Sequence, residues 1–507
     1  MRLGKVLFLT LLLVLFGSHF AGAATIPVTT TITAAIASAS DGDTIVIPSG
    51  NYNENVVING FYNLTLTGAG AGATTISNAA GTVVGIINSQ RITVKNLSVD
   101  GGGTATYGIG VGLSLNVNIQ NCTVENFTTY GIYCVDNGKV AVKKCISQNN
   151  GYGIYADTIY NFKIQLSNIN TNNFGIFMQL CRDTLITKNT VTNNPGLGVT
   201  IALSQSTVVK QNKVIANPGA GIAQISFGTN ANIYTKNVIT DNGDDGVQVL
   251  GGLPTFIGNN ISNNGGNGVH SLAYISYLTL MKNTISGNVM HGVYMEDSTG
   301  YLTKNNISGH AGYGVYELLT TTTTNPPILT LTSNKITDNG AGVGFGDSNG
   351  VGILNAEKNF ITGSLVAVGI QMGGGLSALL DKNKISMNPI GIVMVNETQT
   401  ITNSLVYGNL SGGIAAGDQS VLYKNKVKNN GGHGILGFGA SHVEGNVVMD
   451  NTGNGIDGSG TPGSGSGSLI NDNKAFGNGD GATTFDLYDN AASDVWIDNK
   501  IGTYSLP

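Results

Sequence analysis

Residues 246–269 read GVQVLGGLPTFIGNNISNNGGNGV, and this stretch contains the features that decide the fold. It begins and ends with a glycine followed by a branched aliphatic residue, Gly246-Val247 and Gly268-Val269. An asparagine, Asn259, lies between the two pairs and stands two residues before an aliphatic residue. The segments between these markers are short and alternate between apolar and polar residues, which is typical of β-strands with one buried face.

The glycine–aliphatic pair recurs along most of the chain at intervals of 21 to 25 residues within each run. Such a period is typical of repeat architectures. The glycines of the two runs, which are separated by a looser stretch, are Gly131, Gly153, Gly175, Gly198, Gly221, Gly246, Gly268, Gly292 and Gly314, then Gly369, Gly391, Gly413, Gly434 and Gly455.

Asparagine recurs in step with the glycines and stands two residues before an aliphatic or aromatic position. Asparagine tolerates the left-handed backbone region, and its side chain can bond to the asparagine of the next coil, as in cross-β ladders. The positions are Asn189, Asn212, Asn237, Asn259, Asn283, Asn305, Asn334, Asn359, Asn383, Asn425 and Asn446.

Three short strands fit in one repeat, and each would pair in parallel with its equivalent one coil away, at about 4.8 Å. The sequence therefore predicts an all-β, right-handed parallel β-helix of roughly 19 coils of about 22 residues. A helical repeat would instead show a period of 3.6 and few Gly or Asn residues.

The chain begins with a pattern typical of an export signal. Arg2 and Lys5 precede an apolar run from Val6 to Phe16, and Ala21-Gly22-Ala23 has the small residues of a cleavage site. We predict a signal peptide over residues 1–23, an N-terminal capping helix over residues 24–40, and one solenoid over residues 41–507. The mature protein is then expected in the periplasm or outside the cell.

Charge and composition restrict the partners. The formal charge of the chain is −5, and removing Arg2 and Lys5 gives −5 − 2 = −7 for the mature part. A field of this sign repels nucleic acid and anionic lipid. No segment after the signal is apolar for long enough to cross a bilayer. The expected partner is a polysaccharide or another glycan, and neither nucleic acid nor a transmembrane segment is expected.

The four cysteines lie between residues 122 and 181. Export would permit disulfides, and Cys122 and Cys145 occupy nearly equivalent places in successive coils. The alternative is that Cys122, Cys134, Cys145 and Cys181 are small apolar residues of the coil interior. Their spacing matches no zinc or haem pattern.

The residue after each marker aliphatic residue should point to solvent. In one group of coils these outward residues are Tyr133, Tyr155 and Phe177, and in another they are Gln248, His270, Tyr294 and Tyr316. We interpret the aromatic ones, with Gln248, as a candidate surface for sugar rings. The alternative is that cross-strand aromatic stacking only stabilises the sheet.

Candidate catalytic residues lie in the coils between Gly246 and Gly314. Asp245, His270, His291 and Tyr294 fall on neighbouring coils, and a carboxylate beside a histidine can act as an acid–base pair. The alternative is that these are solvated turn residues of an acidic protein. Asp244, Glu296 and Asp297 are candidate ligands for calcium, which prefers carboxylate oxygens, and Glu317 lies just beyond them. No cofactor is firmly expected.

The first coils resemble those of the pectin-lyase-like superfamily, including its NosD-type members. The resemblance rests on Gly42-Asp43-Thr44-Ile45, Gly50, Tyr52, Glu54 and the run Leu64 to Gly68. It implies a right-handed parallel β-helix, and it implies no single activity, because one fold hosts many functions.

The enzyme motifs of this superfamily are incomplete here. Asp244-Asp245 and Gly432-His433-Gly434 resemble pieces of the polygalacturonase site, but they lie about eight repeats apart. The segment from Val495 to Asp498 resembles a pectate lyase motif in which Asn499 replaces a histidine. The alginate epimerase motif Asp-Pro-His-Asp is absent.

Three functions therefore remain open. The favoured one is carbohydrate binding along the solenoid flank by a secreted or surface-associated protein. The second is a polysaccharide lyase, hydrolase or epimerase with an unfamiliar site. The third is a NosD-like maturation or scaffold protein of the periplasm. Whether the chain is an enzyme, and which sugar it would recognise, are not decided by the sequence.

Overall fold

Alternation of apolar and polar residues folds this chain into short parallel strands. The structure is a computed structural model that describes residues 22–272, 277–320, 326–347, 352–373, 376–394, 399–437, 439–458, 467–480, 483–489, 494–502 and 504–505. The predicted export signal lies outside these ranges except for Gly22 and Ala23. The described chain is an all-β right-handed parallel solenoid of about 19 turns with three parallel sheets, which confirms the predicted fold.

The chain divides into two compact units, Met1–Thr190 (unit 1) and Val191–Pro507 (unit 2). In each unit a coil contributes one strand to sheet A, then one to sheet B, then one to sheet C, and pairing is parallel.

In unit 1 the strands are the following. Sheet A contains Thr25–Pro27, Thr44–Ile47, Thr65–Gly68, Thr93–Lys95, Leu115–Gln120, Gly138–Lys143, Lys163–Gln165 and Leu185–Thr187. Sheet B contains Gly50–Asn53, Thr74–Ser77, Ser98–Asp100, Thr123–Glu125, Ile146–Gln148 and Asn168–Asn170. Sheet C contains Val56–Asn59, Thr82–Ile87, Tyr107–Gly112, Tyr130–Val135, Tyr152–Asp157 and Phe174–Gln179.

In unit 2, sheet A contains Val208–Lys210, Ile233–Thr235, Thr255–Ile257, Tyr277–Met281, Thr299–Thr303, Ile328–Thr332, Ile353–Glu357, Ser377–Asp381, Gln399–Thr402, Val421–Tyr423, His442–Glu444, Leu469–Asn471 and Val495–Ile497. Sheet B contains Thr190–Thr192, whose first residue belongs to unit 1, and Lys213–Ile215, Val238–Thr240, Asn260–Ser262, Thr284–Ser286, Asn306–Ser308, Lys335–Thr337, Phe360–Thr362, Lys384–Ser386, Leu405–Tyr407, Lys426–Lys428, Val447–Met449, Lys474–Phe476 and Lys500–Ile501. Sheet C contains Val199–Ala202, Ile222–Ile225, Val247–Leu250, Val269–Leu272, Val293–Glu296, Tyr313–Leu319, Ala341–Asp347, Val368–Met372, Ile390–Met394, Gly412–Ala416, Ile435–Gly437, Ile456–Asp457, Leu487–Tyr488 and Tyr504–Ser505.

The recurring glycine is required by the close approach of successive coils. A Cβ atom on Gly246 would lie 2.6 Å from the Ile261 side chain and 2.7 Å from the carbonyl oxygen of Gly268 in the next coil. The aliphatic residue that follows, Val247, is fully buried. The glycine–aliphatic pair therefore lets two coils pack closely while it fills the core between them.

Two asparagine ladders run inside unit 2, as the sequence predicted. The first joins sheets A and B: the backbone N–H and the Nδ2 group of Asn259 both donate to Oδ1 of Asn283 in the next coil, at 2.9 and 3.0 Å. The second, which includes Asn242 and Asn264, precedes sheet C and is built in the same way. These buried amides satisfy the backbone at the corners of the coils.

One detail of that prediction is wrong. In the first ladder the left-handed residue is not the asparagine but the residue before it, such as Lys236, Lys282 or Lys304, with φ of 55 to 56°. The ladder asparagine points inward, which it can do only because the preceding residue turns the chain.

The N-terminal helix is shorter than predicted. Residues Thr25–Pro27 form a strand that pairs with Thr44–Ile47, and the helix is confined to Ile32–Ala37. Ile32 and Ile36 are buried, and the Glu54 carboxylate accepts hydrogen bonds from the Ile32 and Thr33 N–H groups, which satisfies the start of the helix. That this segment caps the solenoid stays a prediction.

All four cysteines are buried, and their thiols are reduced. Cys122 and Cys145 stand directly before the paired strands Thr123–Glu125 and Ile146–Gln148, so they are neighbours in adjacent coils. This arrangement agrees with the interpretation of the cysteines as small interior residues.

Within the described ranges, no helix is both long and apolar enough to span a membrane.

Candidate functional site

The outward positions of sheet C in unit 1 carry two rows of aromatic rings. Tyr133, Tyr155 and Phe177 are register partners in successive coils, as predicted. A second row, three residues earlier in each coil, was not predicted, although the same period reveals it. It consists of Tyr107, Tyr130, Tyr152 and Phe174.

The rings of these rows cover one another. Tyr133 and Tyr155 lie 5.5 Å apart with planes at 21°, and Tyr155 and Phe177 lie 5.5 Å apart with planes at 2°. Rings side by side in one plane would collide at that distance, so they are offset-stacked face to face. A sugar ring cannot enter between them. This stacking agrees with the alternative interpretation, in which the row stabilises the sheet, and sugar binding by Tyr133, Tyr155 and Phe177 stays a prediction.

The row ends at an apolar recess. The outward positions that precede Tyr133 in register are Gly110 and then Gly85, and neither carries a side chain. Val57, which is 52% exposed, follows at the far side. The recess between Tyr133 and Val57 is also lined by Thr82, Ile87 and Val135. This recess was not predicted from the sequence, although Gly85 and Gly110 stand in the outward positions that tyrosine occupies in later coils.

In unit 2 the four predicted catalytic residues form one contiguous cluster. His270 and Tyr294 are register partners between Gln248 and Tyr316. The Asp245 Oδ2 atom lies 2.8 Å from His270 Nδ1, and the His270 and Tyr294 ring centroids are 4.9 Å apart. His291 stacks on Tyr294, with centroids 5.5 Å apart.

Asp245 is held as an oriented carboxylate. Its Oδ1 accepts hydrogen bonds from the backbone and side-chain N–H groups of Asn267, and Gln248 donates to Oδ2 at 3.2 Å. Burial works to raise the pKa of Asp245, but the hydrogen bonds from His270 and Asn267 outweigh it and the pKa is lowered. An ionised Asp245 can only accept, so His270 carries a proton on Nδ1.

That arrangement leaves His270 Nε2 buried and without a hydrogen-bond partner. In the neutral ring this nitrogen is an acceptor, as a general base requires, but it is covered. A substrate could reach it only if a neighbouring side chain moved.

His291 differs from His270 in its proton position. The Tyr313 backbone N–H donates to His291 Nδ1 at 2.9 Å, so a neutral His291 holds its proton on Nε2. Burial, followed by the charge of His270, lowers the pKa of His291. When both rings are neutral, the two histidines hold their protons on different nitrogens, His270 on Nδ1 and His291 on Nε2.

The candidate calcium ligands are not brought together. The Asp244 carboxylate accepts a hydrogen bond from the Gln248 side-chain amide at 3.4 Å. Asp297 accepts from the backbone and hydroxyl of Thr320. In the part of the chain that the structure describes, no three His, Cys, Asp or Glu side chains form a group able to hold a metal. A calcium site stays a prediction without geometric support.

Glu317 points into the core and not toward the cluster. It is fully buried, its Oε1 accepts from the Ser298 N–H at 3.0 Å, and Oε2 has no partner. Burial raises its pKa well above the usual range. The alternation Val315 in, Tyr316 out, Glu317 in was readable from the sequence.

Comparison with known proteins gives the family. The family model described as "Right handed beta helix region" matches residues 31–174, 146–253, 174–325, 224–355 and 319–464. No curated protein matches the chain.

Three solved structures are similar at low identity. The A-module of the mannuronan C-5 epimerase AlgE4 of Azotobacter vinelandii is 16% identical, with a TM-score of 0.39 over 63% of this chain and 94% of that chain. The periplasmic alginate epimerase AlgG is 14% identical, with a TM-score of 0.35 over 61% and 76%. The pectin methylesterase PemA of Erwinia chrysanthemi is 11% identical, with a TM-score of 0.28 over 46% and 82%.

No functional conclusion rests on these three similarities. The family model spans most of the chain, and the strand pairing agrees with it, which confirms the sequence-based resemblance at the level of the fold. The chain therefore belongs to the family of right-handed β-helix proteins.

Proposed function

We propose that this protein binds a carbohydrate polymer, with a sugar ring seated in the apolar recess beside Tyr133. The observation that carries the proposal is the end of the aromatic row. One face of Tyr133 stacks on Tyr155. On its other side the tilted Tyr107 ring lies with its centroid 5.2 Å away, and the outward positions next to it, Gly110 and Gly85, carry no side chain.

A pyranose ring has an apolar C–H face and a polar rim. The recess presents matching chemistry, since Val57, Ile87 and Val135 line its floor and sides next to the tyrosine ring. Apolar pockets with a few polar groups at the edge are the usual form of small-ligand sites. Asp136 and Asp157 lie close enough to Tyr133 to raise its pKa, after the larger effect of burial. That negative charge favours a neutral or cationic sugar over an anionic one.

The test is binding of the full mature chain to a panel of neutral, cationic and acidic polysaccharides, measured by affinity electrophoresis and calorimetry. Tyr133→Ala and Gly85→Val should each weaken binding at least about tenfold, the effect of losing one well-packed contact. A Cβ on Gly85 meets its nearest atoms at 3.9 Å, so valine fills the recess without a backbone clash.

Ala141→Val is the matched control, because Ala141 lies outward on sheet A and away from the recess. Binding that survives Gly85→Val, or that falls equally in Ala141→Val, contradicts the proposal.

A second candidate function is proton transfer by the Asp245–His270 pair, as in a polysaccharide lyase or epimerase. The specific observation in its favour is that Asp245 fixes the proton of His270 on Nδ1 and leaves Nε2 as a free acceptor. Because Asp245 is already paired with His270, the cluster fits proton abstraction better than hydrolysis by two carboxylates.

Turnover of a uronate polymer, followed by ultraviolet absorbance for a lyase and by NMR for an epimerase, should fall about 10²-fold or more in His270→Gln. His433→Gln is the control, because His433 and Asp457 form a looser pair at 3.4 Å elsewhere in the same unit. Equal rates in the two variants, or no turnover in the parent protein, would rule this function out.

A further inference from the structure

Unit 2 concentrates its positive charge on one edge. The sequence after Val191 contains 14 lysines and no arginine. Every one of them lies at the last position of a sheet A strand, at the corner between sheets A and B, or in a sheet B strand. They are Lys210, Lys213, Lys236, Lys282, Lys304, Lys335, Lys358, Lys382, Lys384, Lys424, Lys426, Lys428, Lys474 and Lys500.

The first six of these lysines form a region without acidic residues, which we call the lysine edge. It comprises the sheet A strands, corners and sheet B strands between Val208 and Thr337, and these segments contain no Asp or Glu. Within the described ranges, the lysines that form ion pairs are Lys358 with Glu357 and Lys382 with Asp381, outside this region. The net charge of the chain is negative, so it does not reveal that lysines and acidic residues lie in different regions.

The corner lysines occupy a backbone conformation that does not favour lysine. Lys236, Lys282 and Lys304 have φ of 55 to 56°. Asparagine and glycine adopt that region with less strain. The chain uses both at the same corner of other coils, Asn403 with φ 49° and Gly258 with φ 62°. The use of lysine at this corner therefore indicates that its positive charge serves a purpose other than forming the turn.

The lysines of neighbouring coils are held close together. Lys282 and Lys304 occupy the same corner of successive coils, so their backbones are about 4.8 Å apart. Lys335 lies one coil further on and two residues past that corner, as the register partner of Asn306. All three side chains are exposed. Like charges at this spacing repel one another, and an anion bound along the edge removes that repulsion.

The lysine edge contains no arginine. Arginine forms planar two-point contacts with both carboxylate and phosphate, whereas lysine is a compact point charge that binds phosphate oxygens without that geometric requirement. We propose that the lysine edge binds a linear polymer whose charges are phosphate groups. This site is separate from the Tyr133 recess and does not depend on it.

The test uses the full mature chain and long-chain inorganic polyphosphate as the probe, with the dissociation constant measured over a series of salt concentrations. Lys282→Gln/Lys304→Gln should weaken binding at least about tenfold at low salt, and should reduce the slope of log Kd against log salt by about 1.4, or 0.7 for each lost phosphate contact.

Lys139→Gln/Lys163→Gln is the matched control, since it removes the same charge from sheet A strands of unit 1. The control should change the dissociation constant less than about twofold. Equal weakening in both variants would show a non-specific charge effect and overturn the proposal. Absence of polyphosphate binding at low salt, or binding of single-stranded DNA without polyphosphate, would also overturn it.

Discussion

His310 occupies a place in the second ladder that other coils fill with asparagine. Its Nδ1 accepts from the Asn288 N–H at 3.1 Å, and its Nε2 lies 3.1 Å from the Ile285 carbonyl oxygen. The imidazole thus reproduces the acceptor and the donor of an amide. It can do so only when neutral, with its proton on Nε2.

Burial lowers the pKa of His310. In the unfolded chain the histidine protonates near pH 6.5, while the folded form resists protonation. Stability should therefore fall as pH drops from about 6.5 toward the lower pKa of the folded state. We expect His310→Asn to reduce this loss, as measured by urea denaturation midpoints at pH 7.5 and 5.5. A pH dependence unchanged by the substitution would contradict the assignment.

Glu317 has the opposite pH dependence. Burial raises its pKa well above the ordinary value, so the folded state keeps it protonated. The unfolded chain ionises above about pH 4.3, so this group makes stability fall as pH rises from there through the pKa of the folded state.

Glu317→Gln should therefore be more stable than the parent protein at pH 7.5, where the unfolded chain would ionise Glu317 but the folded state keeps it protonated. At pH 4 the two should unfold at nearly the same urea concentration. Met295→Gln is the control, because Met295 is the register partner of Glu317 and has no ionisable group. A Glu317→Gln protein that is less stable at both pH values would contradict the expectation.

At the scale of the element, the ladders explain why asparagine recurs where a solvent-facing turn would accept many residues. Asn283 accepts two hydrogen bonds from Asn259, and its own Nδ2 donates to the Phe256 carbonyl oxygen at 3.0 Å. Removing the amide leaves buried backbone groups unpaired on both sides.

Asn283→Ala should lower the free energy of unfolding by about 2–3 kcal/mol. Asn283→Ser should lower it less, because Ser404 stands in the same ladder and accepts from the Asn383 N–H at 3.1 Å. The two variants can be compared by urea denaturation followed by circular dichroism. Equal losses of unfolding free energy in the two variants would mean that the size of the asparagine side chain, and not its hydrogen bonds, stabilises this position.

The aromatic rows of unit 1 show how one sequence pattern serves two purposes. Along the row, stacked rings stabilise adjacent strands. At its end, the change from tyrosine to glycine exposes an apolar recess. The same residue type therefore has a structural role at Tyr155 and a proposed binding role at Tyr133.

At the scale of the whole molecule, the buried cysteines provide a test of the fold. Burial raises the pKa of Cys134 above the ordinary range of thiols, and unreactive thiols are protonated and inaccessible. We expect a thiol reagent such as 5,5′-dithiobis(2-nitrobenzoic acid) to label none of the four cysteines of the native protein within minutes. In guanidinium chloride it should label all four. Only two labelled thiols would instead indicate a disulfide, for which Cys122 and Cys145 are the adjacent pair.

Much of this architecture could be predicted from local pattern. Period two within segments, and glycine and asparagine every 21 to 25 residues, specify parallel coils, because only stacked equivalent strands bury every aliphatic position at once. The same period placed Asp245, His270, His291 and Tyr294 in one neighbourhood. The residues of each outward row were readable for the same reason.

Which residues share a row follows from the sequence, since a strand turns alternate side chains to opposite faces whatever lies beside it. What each row can do depends on how neighbouring coils pack. Whether tyrosine faces are open depends on ring packing between coils, and the proton of His270 depends on the contact with Asp245 across a coil boundary. The lysine edge became visible for the same reason. Charges more than 20 residues apart in the chain become neighbours only when coils stack at strand spacing.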